Sequence, residues 1–238
     1  MWRICTKECR QFFSSLTGYI TIIAFLLLNG LFLFVFPETS ILDYGYATLD
    51  GYFSIAPWIF LILIPMITMR SLAEEYKSGT FELLKTLPLS PAQIAWGKFL
   101  GATLIVLLSL LPTIIYAISI QMLSSTGGID TGSTIGSYIG LFLIGSVFAA
   151  IGVCTSSFTS NIVVAFISGV ILSLLIYKGF DSIGSMSSSN LGYYIQMFGL
   201  NFHYKNISKG VIDIRDVLYF LGIIYLCLLV SKRNIILK

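Results

Sequence analysis

Charged residues are absent from five long stretches of this sequence, and that distribution limits the possible folds more than any other feature. The stretches are Tyr19–Phe36, Gly51–Met69, Phe99–Ile129, Thr131–Tyr177 and Val217–Ser231. A helix that spans a bilayer needs about 20 mostly apolar residues. Thr131–Tyr177 is long enough for two spans and contains a polar cluster, Thr155–Asn161, that is typical of a turn. We therefore predict six spanning helices, over residues 19–37, 53–70, 97–121, 136–155, 162–178 and 216–232.

The composition agrees with a membrane protein and excludes several other classes. Hydrophobic residues make up 56% of the chain and charged residues 11%, whereas soluble domains are about 25% charged. Four cysteines are too few for a disulfide scaffold, and a net charge of +3 does not suggest nucleic acid. We expect one all-α integral membrane domain over residues 1–238, in contact with lipid and without a separate catalytic domain.

The Lys and Arg residues predict the orientation. If both termini are cytoplasmic, ten of the fourteen Lys and Arg residues lie on the inner side, as the positive-inside rule requires. This predicts a multi-pass protein of the inner (plasma) membrane with both termini in the cytoplasm.

Small residues and prolines recur within the predicted spans. Gly97–Gly101 and Gly136–Gly140 have the G-x-x-x-G spacing that lets helix backbones approach closely in lipid. Pro57, Pro65 and Pro112 are expected to kink the helices that contain them. We interpret all of these residues as packing features.

The first 17 residues form a predicted amphipathic helix. Its polar residues include Arg3, Lys7 and Arg10, and such a helix lies in the headgroup layer. Two cysteines without a nearby histidine make a poor zinc site, so we interpret them as packing residues. The apolar face carries Trp2, Cys5, Cys9, Phe12, Phe13 and Leu16.

Residues 70–98, here called the charged segment, form the one long charged stretch between spans. Its charges oppose insertion into the bilayer, so we place it on the cytoplasmic side. The sequence predicts a break at Lys77–Thr80, a short helix at Phe81–Leu87 and a stop at Pro88. Ser90–Gln93 is a predicted capping box with proline at the first helical position, and it starts the third span.

The short helix of the charged segment has an apolar ridge. Thr80 is its predicted N-cap, and Phe81, Leu84 and Leu87 lie along one side. Two interpretations stay open from the spacing. The ridge docks into a groove of a partner, or it rests on lipid.

The charged segment also carries a family resemblance. It is similar to the cytoplasmic signature of ABC-2-type permeases, the membrane subunits of one class of ABC transporters. The resemblance implies a type V exporter-like fold with an elbow helix (residues 1–17), a cytoplasmic coupling segment (71–96) and an extracytoplasmic gate segment (179–215). The matching residues are Glu74, Glu75, Gly79, Thr80, Glu82, Leu84, Pro88, Ser90 and Lys98.

The resemblance also implies roles and partners. Lys98 anchors the third span at the interface. Glu74 and Glu75 hold ion pairs at the cytoplasmic end, or else are solvated surface charge. The partners are two ABC ATPase subunits, a second permease copy, identical or related, and lipid. The residues expected to couple the chain to the ATPase are Glu74, Glu75, Gly79, Thr80, Phe81, Leu84, Leu87 and Pro88.

Absent motifs narrow the function further. The sequence has no G-x-x-x-x-G-K-[ST] loop, so we expect ATP and Mg²⁺ to bind a partner, with no enzymatic, cofactor or metal site in this chain. The uncharged runs lack the ionisable groups that ion-coupled carriers use. The favoured function is that of a permease subunit in an ATP-driven transporter that works as an exporter. A scaffold that transduces ATPase motion without flux, and an ATPase-independent secondary carrier, are the alternatives.

Residues 179–215 are the third polar region. We predict a flexible Gly179–Ser189, an interfacial or re-entrant helix at Leu191–Phe202, and an N-cap at Asp213 with Asp216 in the first turn. The single histidine, His203, falls in a predicted loop.

A narrower resemblance is carried by this region, from His203 through Ile207, Gly210 and Asp213 to Asp216. These residues are similar to gliding-motility-associated permeases (GldF-type) and their copper-processing relatives. That implies an auxiliary membrane protein with a large extracytoplasmic domain as a third partner.

Asn29 is the clearest polar residue within the first predicted span. Two interpretations are open for it: it lines a substrate path between subunits, or it hydrogen-bonds a neighbouring helix.

Overall fold

The computed structural model describes residues 1–36, 48–86, 88–124, 128–186 and 190–238, and this part of the chain contains helices and no strand. We number the α-helices α1 to α13 in chain order. They are Trp2–Ser14, Leu16–Phe34, Asp50–Thr68, Ala73–Ser78, Thr80–Thr86, Pro91–Leu110, Ile114–Leu123, Thr131–Phe158, Ile162–Leu174, Phe180–Ser185, Asn190–Gln196, Leu200–Ser208 and Ile214–Leu237.

Six helical stretches in the described residues are long and apolar enough to cross a membrane, which confirms the all-α fold with six spans. Several are continuous through short changes of helix type, such as the 3₁₀ turn Leu111–Thr113 between α6 and α7. The stretches are Leu16–Phe34, Asp50–Ser78, Pro91–Leu123, Thr131–Phe158, Ile162–Ser185 and Ile214–Leu237.

The predicted turn at Thr155–Asn161 is shorter in the structure. Helix α8 continues through Phe158, and the chain reverses over residues 159–161. The Asn161 side chain accepts a hydrogen bond from the Val163 amide and so caps α9. Ser157 of the cluster remains helical: its Oγ donates to the Cys154 carbonyl of its own helix at 2.6 Å and accepts from Asn234 Nδ2 at 3.0 Å.

Helix α8 is the central helix of the bundle. In its most apolar stretch 83% of the residues are buried. The helix packs against α3, α6, α9, α12 and α13. Glycines on its surface make these contacts close. A Cβ on Gly140 would lie 2.8 Å from the Tyr204 ring, and one on Gly145 would lie 2.6 Å from Val106. The packing interpretation of Gly136–Gly140 is confirmed.

Helix α1 crosses the start of α6 at one end of the bundle, here called the α1 end. A Cβ on Gly97 would meet Ile4 at 2.8 Å, and one on Gly101 would meet Glu8 at 2.8 Å. Gly97 and Gly101 therefore allow α1, rather than another span, to pack closely against α6. Cys5 is buried, in agreement with a packing role, and no cluster of potential metal ligands occurs among the described residues.

Two of the three prolines lie inside a continuous helix. Pro57 and Pro65 are both within α3, which runs from Asp50 to Thr68. Pro112 lies in the 3₁₀ turn, where α6 gives way to α7. The missing N–H of proline thus changes the helix type at one of the three positions.

The region after α9 differs from the prediction. Where a flexible stretch was predicted at Gly179–Ser189, a π-helical turn leads directly into α10, which ends at Ser185, and residues 187–189 lie outside those that the structure describes. Lys178 and Asp181 stabilise this turn through a 2.6 Å ion pair. The single helix predicted at Leu191–Phe202 is instead α11 and the start of α12, two short helices. Asp213 is the N-cap of α13, as predicted.

The contact between α8 and α3 gives a test of the packing. A Cβ at Gly152 would lie 1.8 Å from Thr68 Oγ1, and this hydroxyl is held by a bond to the Ile64 carbonyl. We expect Gly152→Ala to lower the free energy of unfolding by about 1–3 kcal/mol, measured by thermal unfolding in detergent. Gly222→Ala is the control, since nothing lies within 4 Å of its Cβ position. Equal unfolding of the two variants would contradict the close approach.

Candidate functional site at the α1 end

The charged segment folds onto the α1 end of the bundle. Its helices α4 and α5 share an apolar cluster with α1, α6, α8 and the end of α13. The segment is therefore part of the folded domain and not a loose loop between spans. The buried members of this cluster are Ile4, Leu72, Phe81, Ile94, Ala95, Val153 and Ile235.

The predicted break in the charged segment is confirmed at Gly79. This residue ends α4 in the left-handed conformation, with φ of 71°, which glycine adopts without a steric cost. The hydroxyls of Ser78 and Thr80 lie 2.9 Å apart across the break. Helix α5 begins at Thr80, so Thr80 is its first helical residue and not the predicted N-cap.

The predicted apolar ridge does not face outward. Phe81 is 5% exposed and its ring meets that of Tyr76 at 4.7 Å, while Leu84 is partly buried against the same cluster. Leu87 lies outside the described residues. The exposed apolar side chain of α5 is Leu83, at 68%, because the i, i+3 ridge is taken up by packing against the chain's own bundle.

Lys98 is the electrostatic centre of this end. Its side chain is 1% exposed, so its ammonium is enclosed by other groups of the chain, and its role as an interface anchor stays a prediction. Its Nζ lies 2.9 Å from Glu8 Oε1 and 3.0 Å from Glu75 Oε1, and it donates to the Ser71 carbonyl at 2.5 Å. One ammonium thus joins α1, the turn after α3, α4 and α6.

The paired glutamates have different surroundings. Glu75 contacts Lys98 and also Lys7, whose Nζ is 3.3 Å away. Glu74 makes no ion pair within the described part of the chain. The expectation that both hold ion pairs is met by Glu75 alone. Glu8 was missed by sequence reasoning, since it is a single acid on a basic helix and nothing in its spacing points to Lys98.

A second missed residue, Ser156, connects the charged segment to the central helix. Its Oγ accepts from the amides of Leu72 and Ala73, both at 2.9 Å, and donates to the Met69 carbonyl at 3.1 Å. It therefore caps α4 from α8. The sequence did contain a signal for Ser156, the polar cluster Thr155–Asn161, but we interpreted that cluster as a turn.

Cys9 of α1 is a partly buried thiol that contacts α6. Burial, followed by the neighbouring Cys5 thiol, raises the pKa of Cys9 to about 11. The Cys9 Sγ is 3.7 Å from the Gly101 carbonyl, to which it donates. At neutral pH the thiol is protonated, and its contact with α6 fits the packing interpretation.

Asn29 is buried, with 1% of its surface exposed. Its Nδ2 donates to the Phe25 carbonyl of its own helix at 2.7 Å, and its Oδ1 has no hydrogen-bond partner among the described residues. Within the described part of the chain, the bond to a neighbouring helix is therefore not formed. Its place on a substrate path stays a prediction.

His203 lies at the other end of the bundle, here called the distal end, and the sequence analysis placed it wrongly. It is in helix α12 and buried, not in a loop. Its Nδ1 is 2.6 Å from Asp216 Oδ1 and its Nε2 is 2.8 Å from the Met197 carbonyl. Since a carbonyl only accepts, Nε2 carries a proton. The pair ties α12 to the first turn of α13.

Comparison with known proteins points to one family. A family model described as "ABC-2 family transporter protein" matches residues 35–207, which is most of the chain. The match includes the charged segment and the central helix α8. A search of curated proteins finds no match to the chain.

The ion pairs of Lys98 with Glu8 and Glu75 give a test of what holds the charged segment in place. Lys98→Met leaves the Glu8 and Glu75 carboxylates facing each other without the ammonium, and breaking a buried ion pair costs about 3 kcal/mol. We expect this loss in thermal unfolding of the purified chain. Lys77→Met, at an exposed position of the same segment, changes stability by less than about 0.5 kcal/mol. A Lys98→Met, Glu75→Gln double variant that regains none of the loss would contradict the assignment.

Proposed function

This chain belongs to the ABC-2 transporter family, and we propose that it is the permease subunit of an ATP-driven exporter whose ATP is hydrolysed by a separate ABC ATPase. The observation that carries the proposal is the charged segment. Two short helices are fixed to the bundle at the α1 end, and one exposed apolar side chain, Leu83, projects from the second of them.

We propose that α5 is the coupling helix and that its outward side meets the ATPase. Glu82, Leu83 and Lys85 are exposed on this side, so the surface combines one apolar contact with charges of both signs. Such a surface suits a groove with an apolar floor and a polar rim. Phe81 and Leu84 act from the inside, by holding the helix on its apolar cluster.

The contacts at the α1 end offer a route for the motion of the ATPase to reach the spans. A displacement of α5 passes to α4 through the Tyr76–Phe81 ring contact. From α4 it passes to α8 through Ser156 and to α6 and α1 through Glu75 and Lys98. Because α8 is buried among most of the other spans, a shift of α8 changes the whole bundle.

ATP is a cytoplasmic substrate, so the proposal places the α1 end and both termini in the cytoplasm and the distal end outside. The distribution of Lys and Arg supports this orientation in an inner (plasma) membrane. The gate segment of the proposed exporter is residues 179–215, whose described part contains α10, α11, α12 and the start of α13.

A second copy of the permease, identical or related, is part of the proposal. The first and fifth spans are mostly exposed in the single chain. Only 28% and 22% of the residues in their most apolar stretches are buried. These faces leave room for a second permease as well as for lipid. Asn29 lies in the first span, and we propose that its unpartnered Oδ1 meets the substrate path that two copies form.

The narrower, gliding-motility-associated assignment (GldF-type) is also a proposal. It rests on the residues from His203 to Asp216, for which the structure gives a packing role: the His203–Asp216 pair joins two helices at the distal end. An auxiliary membrane protein with a large extracytoplasmic domain would meet the complex on this side.

Coupling through Leu83 is tested by co-purification. We expect the affinity-tagged wild-type chain, isolated in mild detergent, to retain an ABC ATPase in near-stoichiometric amount. Leu83→Arg places a charge in the apolar contact and is expected to lower the retained ATPase by about tenfold, which corresponds to about 1.4 kcal/mol. Quantitative mass spectrometry of ATPase peptides gives the readout.

The matched control is Leu237→Arg, because Leu237 is a leucine of similar exposure, at 74%, at the same end but outside the charged segment. It should retain the ATPase. If the wild type retains none even after cross-linking, the ATP-driven function is refuted and an ATPase-independent carrier gains support. If the ATPase is retained but reconstituted vesicles show no ATP-dependent flux, a scaffold role replaces export.

A further inference from the structure

A cavity at the distal end extends from the polar boundary of the bundle into its apolar part. Its volume is about 340 Å³, within the range of about 300–1,000 Å³ that small-molecule sites occupy. Helix α3 lines it over two turns, from Asp50 to Trp58, a rise of about 12 Å. The other walls come from α8, the π-helical turn and α12.

The upper part of the cavity carries charges. Lys178, Lys205 and Asp50 all line it. Lys178 is neutralised by Asp181 at 2.6 Å, and Asn201 Nδ2 holds the same carboxylate at 2.9 Å. Neither Lys205 nor Asp50 makes an ion pair with any described residue. Within the described residues, the cavity thus offers one ammonium and one carboxylate that take part in no salt bridge.

The lower part is aromatic. The Trp58 and Tyr177 rings meet edge to face, with centroids 5.7 Å apart, and Phe53 adds a further apolar wall. Tyr204 closes the back by donating to the Phe53 carbonyl at 2.7 Å. Trp58 is 44% exposed, so at this depth the cavity reaches the outer surface of the bundle, where acyl chains lie.

We propose that this cavity binds a zwitterionic amphiphile, with a phosphate toward Lys205, a primary ammonium toward Asp50 and an acyl chain along Trp58. A purely anionic headgroup would face the Asp50 carboxylate, and a purely cationic one would face Lys205. A headgroup with both charges pairs with both residues. Trp58 lies about 12 Å along α3 from Asp50, so we assign the acyl chain, and not the ammonium, to this ring.

The amino-phosphate could belong to a membrane lipid or to a soluble molecule with the same headgroup. The apolar lower wall favours the lipid, since a soluble headgroup would leave the Trp58 end of the cavity unfilled. The proposal goes beyond coupling to an ATPase and does not depend on it, because binding is measured on the permease chain alone.

The test is a titration of the delipidated, detergent-purified full chain followed by native mass spectrometry. Dioleoyl phosphatidylethanolamine, phosphatidylcholine and phosphatidylglycerol are added separately. We expect phosphatidylethanolamine to bind about tenfold more tightly than the other two, as an ammonium that donates to a carboxylate should. Choline cannot donate, and glycerol carries no cation. Similar affinities for the three lipids would overturn the proposal.

Two variants with opposite charge changes make the test specific. Asp50→Asn should remove the preference for phosphatidylethanolamine and strengthen phosphatidylglycerol, which now meets Lys205 unopposed. Lys205→Gln should weaken all three lipids, since each has a phosphate. Lys209→Gln, exposed near the cavity but outside its lining, should leave all affinities unchanged. Thermal unfolding verifies that each variant is folded, and unchanged lipid ratios in folded Asp50→Asn would refute the role of its carboxylate.

Competition with soluble phosphoethanolamine tests whether the headgroup belongs to a membrane lipid or to a soluble molecule. At the concentration that saturates the lipid, it should not displace phosphatidylethanolamine, because it lacks the chain that contacts Trp58. Displacement at equal concentration would show that the ligand is soluble and would overturn the proposal of an amphiphile.

Discussion

The structure depends on the close approach of the central helix α8 to its neighbours. In a bilayer the apolar surface of a helix is already in an apolar solvent, so packing and hydrogen bonds must hold the spans together. Helix α8 meets this requirement with glycines at its contacts, above all Gly152 against Thr68 of α3. Its serines add bonds to neighbouring segments, such as Ser157 with Asn234 at 3.0 Å. The other spans are arranged around this helix, and several remain largely exposed to lipid or to a partner.

The same helix links the two ends of the molecule. At the α1 end Ser156 caps α4 and so ties the charged segment to α8, while Lys98 ties it to α1 and α6. At the distal end α8 packs against α12, whose residues Tyr204 and Lys205 line the cavity. An ATPase contact at one end and a ligand at the other would therefore act on one rigid element. That is the arrangement a coupling free energy between two sites needs.

Much of the fold could be predicted from the sequence, because the cost of placing a charge in lipid limits where spans begin and end. The six spans, the break at Gly79, the capping box at Ser90–Gln93 and the Asp213 cap all follow from local chemistry, and the structure has them. The family resemblance was carried by the charged segment and agrees with the family match. The errors at Lys98, Ser156 and His203 arise because the surroundings of these residues come from other segments of the chain.

The sequence alone determined where the six long apolar stretches lie and which segment carries charge, since these depend on hydropathy and on backbone preferences over a few residues. The tertiary structure decided which side of each helix is free. Phe81 and Leu84 are turned inward and Leu83 outward, Lys98 is buried between Glu8 and Glu75, and His203 is paired with Asp216. The reason is physical: these contacts join residues up to 90 positions apart, and no local periodicity encodes such a pairing.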